Sequence, residues 1–166
     1  GKNKAQVMTA LAKDINPSLR VKTWESFINE NNIFEFLAGC DLVIDSLDAY
    51  NLEARRLMIN TARKMNIPVI AAGPIGFSCS MLVYKPKGMS FDRYIDYQKN
   101  DRPTINFLRF ILGNVPRPYF IKYMDSKSVK TKQQKGPSVS SSVTLCAGFA
   151  AVDAVKLLLN RGKIYA

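Results

Sequence analysis

The sequence predicts an α/β three-layer sandwich, a mainly parallel sheet with helices on both faces, and three observations carry that prediction. Asp41 to Leu47 (DLVIDSL) holds a short apolar run, Leu42-Val43-Ile44, with acids on both sides. It is too short for a core helix and apolar on both faces, the pattern of a fully buried, central parallel strand. Asn51 to Asn66 follows at once with helical spacing, and Ile67 to Ala72 gives a second apolar run that ends in Gly73-Pro74-Ile75-Gly76. Two buried strands joined by a helix of this length make a right-handed βαβ unit, which brings both carboxyl ends to one edge of the sheet. Asp48 lies just past the first of these ends, in the place where open α/β sheets bind ligands, and should neighbour the Gly73 to Gly76 turn.

Bulk composition narrows the function classes. With 166 residues, 47% hydrophobic and 22% charged, the chain suits one globular domain over residues 1–166. No uninterrupted apolar run reaches bilayer length and GKNKAQVM has no signal-peptide pattern, so a soluble cytoplasmic protein without a membrane partner is expected. Cys40, Cys79 and Cys146 are far apart and there is no His, which argues against a disulfide framework and a structural zinc site. The net charge of +11 is compatible with a polyanion partner. The basic residues are spread out, however, and the densest run, Lys127 to Lys135, lacks interleaved aromatics. It reads as an exposed flexible loop, and a nucleic-acid partner is not expected.

Taken in order, the chain opens with Ala5, Val7, Met8, Leu11, Ala12 and Ile15 at helical spacing, ended by Pro17. Lys4 falls in the first turn, beside the partly positive helix start that favours anions; position alone also fits a solvated lysine. Leu19 to Ser26 alternates and predicts a strand with one wetter face. A short helix over Ile33 to Leu37 is closed by Gly39, and the first buried strand follows. Beyond the βαβ unit, Ser80 to Tyr84 predicts a third strand, stopped by Pro86 and Gly88. The glycines of the Gly73 to Gly76 segment serve either a close ligand approach or, the preferred reading, the chain turn. Phe91 to Tyr97 and Ile105 to Leu112 predict two amphipathic helices whose aromatics, Tyr94, Phe107 and Phe110, face either the core or a second subunit. Val143 to Asn160 predicts an apolar helix with small residues suited to packing on a sheet.

Three segments then carry a family resemblance. GKNKAQVMTALAKDINP, DLVIDSLDAYNLEARRLMINTARKMNIPVIAAGPIGF and FAAVDAVKLLLNRGK resemble, in order and spacing, the ThiF/MoeB/HesA group of the ubiquitin-activating-enzyme superfamily. The matching patterns are a GxxK…INP helix, a D-x-x-x-D-x-x-D-N strand end, an IP-strand-G-x-x-G-F turn and a late EAIK-(L) helix, covering most of the chain outside Lys87 to Lys135. The resemblance implies a Rossmann-like fold and ATP-dependent adenylyl transfer with Mg²⁺. A carboxylate, such as the C-terminus of a ubiquitin-like or sulfur-carrier protein, becomes an acyl-adenylate, and the enzyme works as a homodimer. It implies catalytic roles for Lys4, on the nucleotide phosphates, and Asp48, at the metal and α-phosphate, with Ser46 and Leu47 as backbone neighbours of the nucleotide. A hard Mg²⁺ takes one or two carboxylates plus phosphate oxygens, which agrees with that assignment.

Departures from the family pattern shape the expectation further. The glycine-rich G-x-G-x-x-G turn and the Arg and Asn that hold the triphosphate have no counterpart from Gly1 onward, so the chain is expected to be the second part of a longer protein, lacking the N-terminal nucleotide-binding segment. The family Asn after the aspartate is Ala49, the zinc-binding cysteine pairs are absent, and TKQQKGPSVSSS has no acceptor cysteine. Cys146 falls in an apolar helix, where a buried inert thiol is expected, so adenylation without a thioester step is the reading. The alternatives are a catalytically inactive scaffold or partner-binding subunit of the same fold, and a plain nucleotide-binding or nucleic-acid-binding module.

Overall fold

A computed structural model describes residues 1–115, 117–123 and 139–164. The basic loop over Lys127 to Lys135 and the TKQQKGPSVSSS segment up to residue 138 lie outside the described residues. The chain divides into two compact units, Gly1–Ala38 and Gly39–Ala166.

In the first unit, α1 (Lys4–Ile15) starts where Asn3 caps it, its side-chain oxygen accepting the Ala5 N–H at 2.8 Å. The predicted strand over Leu19 to Ser26 does not form. An alternating segment becomes a strand only against a partner strand, and here its side chains tie to the unit's helices instead. The Thr23 and Thr9 hydroxyls meet at 2.8 Å, Lys22 pairs with Glu35 at 3.2 Å, and Trp24 sits edge-on to Phe36 at 5.8 Å. α2 (Ile33–Leu37) buries Ile33 and Leu37.

The second unit is the α/β body. Its elements run β1 (Val43–Asp45), α3 (Leu52–Lys64), β2 (Val69–Ile75), β3 (Ser78–Tyr84), α4 (Phe91–Tyr94), α5 (Pro103–Asn114), a 3₁₀ segment (Tyr119–Tyr123) and α6 (Ser140–Leu158). β1 and β2 are parallel, with Val43 beside Val69 and Asp45 beside Ala71, as a βαβ unit requires. The Rossmann-like α/β class therefore holds, with two corrections inside it. β1 is the edge of the three-stranded order β1-β2-β3 rather than a central strand, and Ile44 is 50% exposed. β3 returns antiparallel to β2, because the Gly76-Phe77 loop is only two residues long and too short for a crossover. Gly76 has φ +57 and so makes the first position of a tight hairpin turn. That supports the turn role for Gly76, whereas Gly73 lies inside β2, paired with Ser80.

Helices cover both faces. On one side Cys146, Ala150 and Ala154 of α6, spaced four apart, face the sheet, and Ala150 and Ala154 pack on Ile70 with Met81 and Val83 beside them. Fully burying Ile70 stabilises the fold by about 1.5–3 kcal/mol. α6 is long and apolar enough to cross a membrane, mean hydropathy 1.5, a property the run-length reading missed because Ser, Thr, Asp153 and Lys156 interrupt its apolar residues. Here it lays one stripe on β2 and β3. On the other side Tyr84, Phe91 and Phe110 form a chain of rings at 5.7 and 6.3 Å, joining the sheet to α4 and α5. Of the aromatics expected to face the core or a second subunit, Phe110 is buried in the core, half-buried Phe107 stacks on Tyr50, and Tyr94, still exposed, donates its hydroxyl to the Gly113 carbonyl.

Candidate functional site

The carboxyl end of β1 turns into α3 through Ser46 to Asn51. Asp45, the last residue of the strand, points into the layer below the sheet, where its side chain is 1% exposed. A carboxylate there needs a cation, and Arg55, one turn into α3, supplies it: its Nε donates to Asp45 Oδ2 at 2.6 Å. The remaining guanidinium nitrogens turn upward to the loop, Nη1 donating to the Asp48 carbonyl at 3.3 Å and Nη2 to the Leu47 carbonyl. Asp45 Oδ1 accepts the Leu47 N–H at 2.9 Å. The Phe110 ring lies 4.9 Å from the Arg55 guanidinium carbon and closes the network.

Above this buried base the loop is open. Ser46 and Asp48 are exposed and Leu47 is half-buried. Asp48 Oδ1 accepts the Tyr50 N–H at 3.1 Å and its carbonyl accepts the Asn51 N–H at 3.0 Å, while Tyr50 stacks on Phe107 with ring centres 5.1 Å apart. Ser46, Leu47 and Asp48 thus share one loop at the strand end. Lys4, exposed as the first residue of α1, belongs to the other unit. Gly73 to Ile75 continue β2 past the level of β1, since the β1 register stops at Asp45–Ala71.

Among the described residues no group of three or more His, Cys, Asp or Glu forms a metal cluster. The donor set at this loop is the single exposed Asp48 carboxylate, because Asp45 is occupied by Arg55. One exposed carboxylate fits a hard divalent cation that takes its other ligands from phosphate oxygens and water. It does not fit a dedicated protein cage.

Neighbouring contacts fix α3. Arg56 pairs bidentately with Asp92 of α4, both bonds 2.8 Å, and that carboxylate raises the Arg56 pKa. Cys79 lies on the same face of β3 as Met81, and Cys146 lies one turn before Ala150, so the two thiols meet at one end of the layer between α6 and the sheet. Burial, then the Cys146 contact, pushes the Cys79 thiol up to about 12.

Asp45 and Arg55 are the site residues that sequence reasoning passed over. The signal was present: an acid closing an otherwise apolar strand is buried with the strand, and its counter-charge must come from the following helix.

The ThiF family profile matches residues 1–166. The SAMP-activating enzyme E1 of Haloferax volcanii is 28% identical over 88 residues, covering 53% of this chain and 32% of that protein. The tRNA threonylcarbamoyladenosine dehydratase of Escherichia coli K12 is 31% identical over 77 residues, covering 46% of this chain and 28% of that protein. The matched stretches therefore span about a third of each relative's length. A crystal structure of selenomethionyl PaaA superimposes with a TM-score of 0.64 over 99% of this chain and 49% of that one, at 19% identity, a likeness of fold.

Proposed function

This chain belongs to the ThiF family, and on that premise we propose that it carries the Asp48 part of an ATP-dependent adenylyltransferase. The family and the E1-like relative support an adenylating role at family level. The finer reading is that an acceptor carboxylate, the C-terminus of a ubiquitin-like or sulfur-carrier protein, is activated as an acyl-adenylate. A carboxylate oxygen attacks the α-phosphorus, the bond to the bridging oxygen breaks, and pyrophosphate leaves with the electron pair. The observation that carries this reading is the exposed Asp48 carboxylate at the carboxyl end of a parallel strand, beside an acid already neutralised by Arg55.

Asp48 would hold Mg²⁺ beside the α-phosphate. When bound, the ion supplies positive charge to the phosphate oxygens. Lys4 is assigned to countering the charge that develops on pyrophosphate, and the Ser46 and Leu47 backbone to lying along the nucleotide. No thioester step is assigned. Cys146 is 4% exposed and the Cys79 thiol is held protonated, so neither supplies a ready thiolate. The protein is assigned as a homodimer, to be checked by sedimentation of the full-length protein.

Pyrophosphate exchange into ATP tests the reading. The full-length wild type should exchange, and Asp48→Asn, close to isosteric, should lose about 2–4 kcal/mol of transition-state stabilisation with its melting temperature unchanged. Absence of exchange in the wild type, or equal exchange in the variant, removes the role. The second reading, a catalytically inactive scaffold, is favoured by one contact: Asp48 Oδ1 already accepts the Tyr50 N–H and so has a local structural task. In that case Asp48→Asn leaves every ATP assay silent.

A further inference from the structure

We infer that Arg55 is the positioning residue of this site: through the Leu47 and Asp48 carbonyls it sets where the Asp48 carboxylate stands, an inference that rests on the adenylating reading. Arg55 reaches no solvent-facing ligand itself, because its side chain is 6% exposed. Its three hydrogen bonds divide the work. The Nε bond to Asp45 anchors the guanidinium to the strand, and Nη1 and Nη2 reach up to the carbonyls of the two residues that end in Asp48. The planar fork is what makes this possible, since a single ammonium cannot serve the carboxylate and both carbonyls in one fixed geometry.

The arrangement also gives the two acids of D-S-L-D different tasks. Asp45 holds Arg55 from one side and the Leu47 N–H from the other, so Leu47 is gripped at its N–H and its carbonyl by one ion pair. Asp48 follows directly and is gripped at its carbonyl. A loop with exposed side chains and pinned backbone gives a fixed carboxylate at a wet surface. Misplacing a catalytic group by about 1 Å costs on the order of a hundredfold in rate.

The test uses the full-length protein with Arg55→Lys, Arg55→Ala and, as a control on the same helix, Arg56→Gln, which removes the α4 contact and lies outside the loop network. Steady-state pyrophosphate exchange and amide hydrogen exchange at Leu47 and Tyr50 are measured together. The expected result is that Arg55→Lys lowers kcat by about a hundredfold with a near wild-type KM for ATP. In Arg55→Lys, which keeps a positive charge beside Asp45, protection is lost at Leu47 and Tyr50 while Ile70 and Val83 in the sheet keep theirs, and added guanidinium restores part of the rate to Arg55→Ala. Arg56→Gln should keep the wild-type rate. Wild-type exchange in Arg55→Lys overturns the inference, as does loss of protection throughout the sheet in that same variant, which makes Arg55 a global stability residue. A wild type without any exchange removes the adenylating reading and with it the catalytic meaning of the loop. Arg55's hold is then judged by protection alone, and unchanged protection at Leu47 and Tyr50 overturns that as well.

Discussion

Two acids three residues apart live in opposite environments, and the difference decides what each can do. Asp45 is buried against Arg55, where desolvation nearly cancels the attraction and removing one partner leaves an uncompensated charge. Asp45→Ala should therefore destabilise the fold by about 3–5 kcal/mol. Asp48→Ala gives up one solvent-exposed hydrogen bond and should cost no more than about 1.5 kcal/mol. Urea unfolding of both variants measures the contrast, and equal losses would contradict the assigned environments. A second residue-scale expectation comes from Cys79. Its thiol is raised to about 12 in the fold against an ordinary value of about 8.5. Above the ordinary value the unfolded chain has lost a proton that the folded chain keeps, so stability falls as pH rises from there toward the folded value. Cys79→Ala removes this dependence. Thermal midpoints taken from neutral to alkaline pH should decline more steeply for the wild type than for the variant, and parallel declines would show that the thiol contributes nothing. At this scale the sequence disclosed the exposed acid and hid the buried pair. Asp48 is recognisable by its place after a strand, whereas Arg55 acts through backbone carbonyls that carry no residue identity.

Elements whose signals are local were legible. α1 has helical spacing and its Pro17 stop, and α3 and α6 have helical spacing, so each forms close to where the pattern puts it. Elements that depend on a partner were not. Leu19 to Ser26 has strand alternation without a neighbouring strand, and β1 has a doubly apolar pattern although β2 pairs with only one of its edges. The direction of β3 was readable in principle, since a two-residue loop beginning with Gly76 permits only a hairpin. That loop makes a prediction with a built-in control. A Cβ on Gly76 would stand 2.7 Å from Phe120 Cβ, and φ there is +57. Gly76→Ala should cost about 1–3 kcal/mol through left-handed strain and displacement of the 3₁₀ segment. Gly148 lies in α6 with nothing within 4 Å of the added carbon, so Gly148→Ala should stabilise by about 0.5–1 kcal/mol. Chemical unfolding of both decides it, and a loss at Gly148 matching that at Gly76 would refute the packing argument.

For the molecule as a whole, the notable feature is how unevenly apolar surface is buried. α6 spends Cys146, Ala150 and Ala154 on the sheet, yet Leu145, Phe149, Val152 and Val155 on its other faces are each 43–56% exposed, and Ile44 of β1 is 50% exposed. Leu145, Phe149 and Val152 stand along one open face of this helix with Ser141, Thr144 and Gly148. An aromatic and several branched aliphatics at i, i+3 and i+4 on one helix make a continuous apolar stripe rather than the scattered exposed residues of an ordinary surface. Such a stripe should bind the dye ANS in the native state, without the loss of near-UV circular dichroism that marks a molten globule. The double variant Phe149→Glu, Val152→Glu removes the centre of the stripe and touches none of the residues packed on Ile70. It should keep the far-UV spectrum and change stability by no more than about 0.5 kcal/mol, as surface substitutions do, while most of the dye fluorescence disappears. Full dye binding in the variant would show that the dye reads some other surface, and unfolding of the variant would show that Phe149 and Val152 belong to the core.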